Sequence, residues 1–289
     1  MSPRLAWVTA RAARGYDLDE PLGLRALSDR GAVVDVVDWD DPDVAWDGYD
    51  RVVLRSTWDY HDRLPDFLAW VEETAQRAEV LNPPPLVRWS TDKHYLAELA
   101  AAGVPVPPTT FLEPGDRVDP ARLVRGPVVV KPAVGAGSRG VATYGPDQGD
   151  LAAAHVAALH DRGRSVLVQP LLASVARDGE RALVHFGGTC SHAATKRVTL
   201  PDPGTLDDLF AAERTAPHEA TPAERAVADA ALAVVARRWG TPAYARVDLV
   251  HDDAGDPCVL ELELVEPSLF LTEGGPGAAD RLAAALLAQ

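Results

Sequence analysis

The stretch that decides the fold is Tyr244-Ala245-Arg246-Val247-Asp248-Leu249-Val250, a turn at 252–256 rich in Asp and Gly, and then Val259-Leu260-Glu261-Leu262-Glu263-Leu264-Val265. Residues two apart in a strand point to the same face. Arg246 and Asp248 therefore share a face, as do Glu261 and Glu263. A hairpin turning on Ala254-Gly255 sets Asp248 opposite Glu261 and Arg246 opposite Glu263. One guanidinium and three carboxylates then converge on one patch, while Val247, Leu249, Leu260, Leu262 and Leu264 imply a buried opposite face. Carboxylates held together repel one another and raise each other's pKa unless cations occupy the cluster. Oxygen donors without Cys or His point to Mg²⁺ shared with substrate phosphates. A solvated polar strand face is the other reading of the same residues, and the pattern alone leaves both open.

Working outward, 128–132 is a β-branched run that ends in Lys131 and opens into Ala133-Val134-Gly135-Ala136-Gly137-Ser138-Arg139-Gly140. A lysine ending a buried strand before a glycine-rich loop suits phosphate, because backbone N–H groups can approach the oxygens while the ammonium neutralises charge. The spacing fits neither a P-loop nor a dinucleotide-binding turn. A glycine-rich surface loop without a ligand is the alternative. Further upstream, 5–9, 32–37, 52–54 and 80–81 read as strands and 21–28 and 64–77 as helices. This βαβαβ rhythm predicts a parallel sheet, with ligands beyond the carboxyl ends of its strands. Two segments fall there, 9–11 and 55–61, and the second is too polar for a buried strand. Asn82-Pro83-Pro84-Pro85 reads as a linker, 91–102 as one helix, and Thr221-Pro222-Ala223-Glu224 as a helix start. The aspartate-rich stretch 35–50 reads as a solvated loop.

Composition narrows the class. The chain has 289 residues, 47% hydrophobic and 25% charged, which is enough to bury a core. A formal charge of −15 disfavours a nucleic-acid partner, whose affinity comes from cationic neutralisation. Two cysteines and eight scattered histidines offer neither a disulfide framework nor a transition-metal site. No GxSxG elbow is present. The first residues lack the apolar run of a secretory signal, and 225–238 is interrupted by Asp229, Arg237 and Arg238, so no membrane partner is expected and the chain reads as soluble and cytoplasmic. Only Lys93, Lys131 and Lys196 among the 28 basic residues are lysines, in a composition that otherwise favours arginine. Lysine supplies a compact ammonium that the planar guanidinium cannot copy.

A lysine near a helix start, a lysine before a glycine-rich loop and a late Arg-x-Asp…Glu-x-Glu hairpin resemble the ATP-grasp superfamily, in its glutathione synthetase and ribosomal S6 modification ligase branch. The motifs 54–61, 87–93, 131–140 and 260–270 are similar to those of the actinobacterial cyclo-ligases of the cycloserine pathway. The resemblance implies an α/β (α+β) fold with an N-terminal pre-grasp substrate domain over 1–90, a central subdomain over 91–168 and a C-terminal subdomain over 169–289. It implies ATP and two Mg²⁺ ions as cofactors. Lys93 and Lys131, with Gly135, Gly137 and Ser138, would face the phosphates. Gln169, Pro170, Leu171 and Leu172 would form the adenine hinge, Glu180 would lie near the ribose, and Leu260 would line the nucleotide site. Asp248, Glu261 and Glu263 would hold the metal, the last where the family usually has Asn. Arg246, Lys196 and Lys131 would act on the transferring phosphoryl group. Arg55, Thr57, Trp58, Tyr60 and Ser268 would contact a small amino-acid-like substrate.

The reaction implied is activation of a carboxylate as acyl phosphate and attack by nitrogen, within one O-ureido-serine-type molecule. An intermolecular carboxylate–amine ligase and a non-catalytic ATP-binding module are the alternatives. A monomer and a homodimer are both compatible with the sequence.

Overall fold

The computed structural model describes residues 2–137, 139–198 and 213–288. It contains three sheets. The first is parallel, with β1 (Arg4–Thr9), β2 (Val33–Asp38), β3 (Arg51–Ser56) and β4 (Glu79–Leu81) in the order β2-β1-β3-β4. Helices Glu20–Asp29 and Leu64–Thr74 make the crossovers expected from the βαβαβ pattern. The second sheet is antiparallel, with β5 (Thr110–Leu112), β6 (Val128–Pro132), β7 (Ala142–Tyr144) and β8 (Val166–Pro170) in the order β5-β8-β6-β7. The third is also antiparallel, with β9 (Glu180–Phe186), β10 (Thr189–Val198), β11 (Glu213–His218), β12 (Tyr244–His251) and β13 (Pro257–Glu263) in the order β11-β10-β9-β12-β13.

Helix Pro222–Trp239 covers one face of the third sheet. It starts with the capping box the sequence predicts, Thr221 accepting from the Glu224 N–H and Glu224 reaching back to the Thr221 N–H. Its Ala228, Ala231, Leu232 and Val235 join Val247, Leu249, Leu262 and Leu264 in one core. On the opposite face Ala182, Val184, Phe186, Ala194 and Tyr244 pack against Leu282 and Leu286 of helix Ala278–Leu287, beside the polar residues of the hairpin. None of the helices among the described residues is long and apolar enough to cross a membrane.

Four readings of the sequence need correction. Asn82-Pro83-Pro84-Pro85 is not a loose linker: Pro84 opens helix Pro84–Ser90, where its missing N–H costs nothing. The Asn82 side chain is buried and donates to the carbonyls of Tyr244 (2.9 Å) and Leu264 (2.7 Å) while accepting from the Ala243 N–H. The single helix over 91–102 is shorter, Tyr95–Ala101, because the Lys93 N–H donates to the Ala133 carbonyl instead of entering a helical ladder. The stretch 35–50 is only partly solvated, since β2 runs to Asp38 and both Trp39 and Trp46 are buried in the N-terminal core.

The fourth correction concerns 55–61. β3 continues to Ser56, and Arg55, Ser56 and Thr57 are fully buried. Their polarity is met only in part inside the protein, since Arg55 Nε and Nη1 and Thr57 Oγ1 have no hydrogen-bond partner among the described residues. Arg55 donates to the Pro267 carbonyl (2.7 Å), lies 3.9 Å from Asp19 and sits between the rings of Trp7 and Tyr244. The Ser56 hydroxyl donates to that of Thr9.

Candidate active site

The hairpin closes in the expected register, Arg246 opposite Glu263 and Asp248 opposite Glu261, up to a bulge between Asp248 and Leu249. The bulge leaves Leu260 without a partner across the ladder. Leu260 consequently leaves the alternation the sequence implies and lines a cavity beside Leu172 and Val175. On the neighbouring strands, Lys196 of β10 stands opposite Glu180 of β9 on one side and Thr215 of β11 on the other. Small residues, Ala182 and Ala194, lie between Lys196 and the hairpin, so the long lysine can cross to Asp248.

The resulting cavity is about 680 Å³ and draws on the second and third sheets and on the segments that follow β1 and β3 of the first. Arg246 grips Asp248 through Nε to Oδ1 (2.8 Å) and Nη2 to Oδ2 (2.9 Å), and it also donates to Glu263 and to the Ser268 carbonyl (3.0 Å). Its guanidinium carbon lies 5.2 Å from the Phe270 ring centre. Lys196 donates to Asp248 (3.0 Å) and pairs with Glu180 (2.8 Å). Lys93 pairs with Glu261 (2.8 Å) and donates to the Gly135 carbonyl (3.0 Å), tying the hairpin to the glycine-rich loop. All three lysines of the chain line this cavity, with exposures of 9% at Lys93 and Lys131 and 7% at Lys196. Among the described residues Lys131 has no ion pair, which leaves its ammonium for a ligand.

Electrostatics separate the carboxylates. Burial alone would raise Glu261, but Lys93, Lys131 and Lys196 outweigh it and hold the carboxyl down at about 2. Burial pushes Glu263 up to about 7, with Arg246 opposing and Asp248 and Glu261 adding repulsion. Burial also lowers the Lys131 ammonium, helped by its two lysine neighbours. At Lys93 burial is overcome by Glu261, and the pKa rises. Ligand oxygens of Asp248, Glu261 and Glu263 lie within 4.8 Å of one another, a hard-oxygen donor set that fits Mg²⁺.

Gly135 and Gly137 line the cavity, and Gly137 takes φ +65°, which a side chain would resist. Ser138 lies outside the described residues. Arg139 of this loop bonds Asp62, so the loop is anchored on the turn after β3. Gln169, Pro170, Leu171 and Leu172 also line the cavity, with the Gln169 amide donating to Thr109. Glu180, Trp58, Tyr60 and Ser268 also line it. Arg55 and Thr57 do not: they lie beneath the site, where Arg55 braces the segment at Pro267. Residues not anticipated from the sequence also reach the cavity, namely Tyr16, Asp19, Thr215, Glu266 and Glu273. Only Glu266 had a visible signal, as a third acidic residue just past the Glu261-x-Glu263 strand.

Residues 5–82 match the N-terminal domain of D-cycloserine synthetase DcsG. The cycloserine biosynthesis protein DcsG of Streptomyces lavendulae is 41% identical over 284 residues, 95% of each chain. The crystal structure of D-cycloserine synthetase DcsG superposes with a TM-score of 0.88 at 38% identity, covering 98% of each chain. The ATP-grasp ligase PsnB, solved with a phosphomimetic variant of its minimal precursor, Mg and ADP, shares the fold at a TM-score of 0.65 and 20% identity over 99% of this chain and 98% of its own. The chain belongs to the D-cycloserine synthetase DcsG family and has the fold of ATP-grasp ligases.

Proposed function

We propose that this protein is an ATP- and Mg²⁺-dependent ligase that activates the carboxylate of a small amino acid as an acyl phosphate and closes it by attack of a nitrogen in the same molecule, as for an O-ureido-serine-type substrate giving a cycloserine-like ring. The observation that carries this reading is the convergence of Lys93, Lys131, Lys196 and Arg246 with Glu261 and Glu263 in one cavity, with the buried Asp248 within 4.8 Å of both glutamates. The extensive similarity to a cycloserine biosynthesis protein supports the cyclising version. In this reading 1–90 supplies the substrate wall, and 91–168 and 169–289 hold ATP between them. Each segment contributes most of one sheet, which supports that division.

Lys131 and Lys93 neutralise the phosphates, and Gln169, Pro170, Leu171, Leu172 and Leu260 enclose the base. Glu180 turns toward the ribose, and Gly135 and Gly137 let loop backbone approach the phosphates. Asp248, Glu261 and Glu263 hold Mg²⁺, with two ions matching a set of three carboxylates. When bound there, Mg²⁺ supplies neutralisation of charge on the phosphate oxygens. Arg246 and Lys196 steady the transferring phosphoryl group. The γ-phosphate passes to the carboxylate oxygen and ADP leaves. The nitrogen then forms the C–N bond, loses its proton and expels phosphate. Positioning and electrostatics supply the rate, and the anchored loop excludes water from the acyl phosphate. A soluble cytoplasmic enzyme is the setting this implies.

ADP release measured with single candidate acids, with and without an added amine, tests the reading. Turnover of an O-ureido amino acid alone is expected; turnover only with a second amine transfers the assignment to an intermolecular ligase. Glu261→Gln is expected to abolish Mg²⁺-dependent turnover with the fold retained, and near-normal activity would remove the metal assignment.

A further inference from the structure

The cavity carries more carboxylates than its metal cluster and cations use. Glu180 is held by Lys196, and both oxygens of Asp19 accept backbone N–H groups, from Leu269 (2.5 Å) and Leu271 (2.8 Å). Glu273 is partly exposed and accepts from the Thr215 hydroxyl. Glu266 differs from these. It is only 8% exposed, lines the cavity, and has neither a cation nor a side-chain donor among the described residues. Its oxygens also fall outside the set of Asp248, Glu261 and Glu263 that lie within 4.8 Å of one another. The nearby cations Lys93 and Arg246 are already committed to Glu261, and to Asp248 and Glu263.

A buried carboxylate facing a cavity without a counter-charge is costly unless a ligand brings one. Aromatic residues surround it. The Trp58 indole N–H donates to the Glu266 carbonyl (3.0 Å), and Tyr60 lies close enough that Glu266 adds to the effect of burial in raising its phenol. Both rings line the same cavity. An anionic oxygen among aromatic walls suits a small organic cation better than a hydrated metal. Glu266 shares the cavity with Glu263 and Arg246 and lies close enough for both to act on its carboxyl, so it stands near the phosphoryl-transfer centre. That is where a charged group on the carbon bearing the reacting carboxylate must come to rest.

We propose that Glu266 receives the ammonium group of the amino-acid substrate, with Trp58 and Tyr60 walling the same corner, and that it selects substrates bearing a free α-amine. This assignment rests on the ligase reading above. It gives the site two fixed points on one substrate, the carboxylate at Arg246 and Lys131 and the ammonium at Glu266, which together orient the reacting carbon.

The test is steady-state ADP release by the full chain with O-ureido-D-serine, its N-acetyl derivative and its desamino counterpart, for wild type, Glu266→Gln, Glu266→Asp and Glu273→Gln. Wild type is expected to use the free amino acid and to reject the N-acetyl acid. In Glu266→Gln the KM for the amino acid should rise by about 10- to 100-fold, the value of a charge-assisted hydrogen bond, by more than kcat falls. The KM for ATP should stay within about twofold, since removing one substrate contact leaves the nucleotide site intact. The preference over the desamino acid should shrink in Glu266→Gln and be partly restored in Glu266→Asp. Equal rises in KM for amino and desamino acids, or a shift carried by Glu273→Gln instead, overturn the assignment. Efficient use of the N-acetyl acid by wild type overturns it without any variant. ATP consumption by wild type with none of the acids overturns the ligase reading and this assignment with it.

Discussion

Arg246 holds both oxygens of Asp248, two residues along the same strand, through Nε (2.8 Å) and Nη2 (2.9 Å). Lys196 adds a third donor at 3.0 Å, and Asp248 has no exposure to solvent. Asp248 therefore bridges two buried cations before any metal arrives. Asp248→Ala removes that shared carboxylate and leaves Arg246 with Glu263 and Lys196 with Glu180 alone, and breaking buried pairs in this way costs about 3–5 kcal/mol. Urea denaturation of the ligand-free protein should report that loss. A variant as stable as wild type would mean that Glu263 and Glu180 suffice to compensate Arg246 and Lys196.

Lys131 ends β6 with its ammonium buried and unpaired, while exposed arginines such as Arg122 reach only surface carboxylates. Lys131→Arg keeps the charge but brings a larger planar fork into a site shaped for a point charge. The variant should lose at least about tenfold in kcat/KM for ATP, equivalent to about 1.4 kcal/mol of transition-state stabilisation. Arg122→Ala should lose less than about twofold, as a surface pair contributes little. Equal effects in the two variants would detach Lys131 from nucleotide binding.

The parts of this molecule that could be read from sequence are those governed by local periodicity. The alternation of Val247, Leu249 and Leu262 against Arg246, Asp248 and Glu263 gave the buried and polar faces, and the βαβαβ rhythm gave the parallel sheet. The parts that were missed depend on distant partners. Arg55 looks like a ligand residue by polarity, yet it is buried because Pro267, Asp19, Trp7 and Tyr244 reach it from far along the chain. Asn82 looks like a linker residue until Tyr244 and Leu264 supply its acceptors. The Leu260 bulge breaks the period-two rule where the cavity wall requires an extra residue. The three lysines were legible for another reason, since arginine had displaced lysine everywhere else.

Glu266 makes stability depend on pH. Burial, with repulsion from Glu263 and against the pull of Lys93 and Arg246, raises its carboxyl from 4.5 to about 8 in the folded protein. Tyr60 faces it as well, but as a neutral phenol its own pKa is far higher. A folded-state pKa above the unfolded value means that the folded chain binds the proton more tightly. The contribution is fully present below pH 4.5 and is lost as pH rises through 8. Wild type should therefore lose stability relative to Glu266→Gln between pH 5 and 8.5, by on the order of 4 kcal/mol. Parallel pH profiles of the melting temperature for the two proteins would show that the carboxyl is not strained by burial.

Asn82 joins the N-terminal sheet to the catalytic hairpin. Its amide donates to the carbonyls of Tyr244 and Leu264, and its oxygen accepts from the Ala243 N–H, while its backbone sits at φ +63°. Asn tolerates that left-handed conformation better than alanine does. Asn82→Ala loses three buried hydrogen bonds and gains strain, an expected cost of about 3–5 kcal/mol. Asn82→Gly relieves the strain but restores no bonds, so it should recover only about 1 kcal/mol. Because the lost bonds fix the start of β12 and the chain just beyond Glu263, kcat should fall in both variants even where the protein remains folded. Urea unfolding alongside ADP release below the unfolding transition separates the two effects. Full activity in a folded Asn82→Ala variant would show that the hairpin holds its catalytic geometry without this brace.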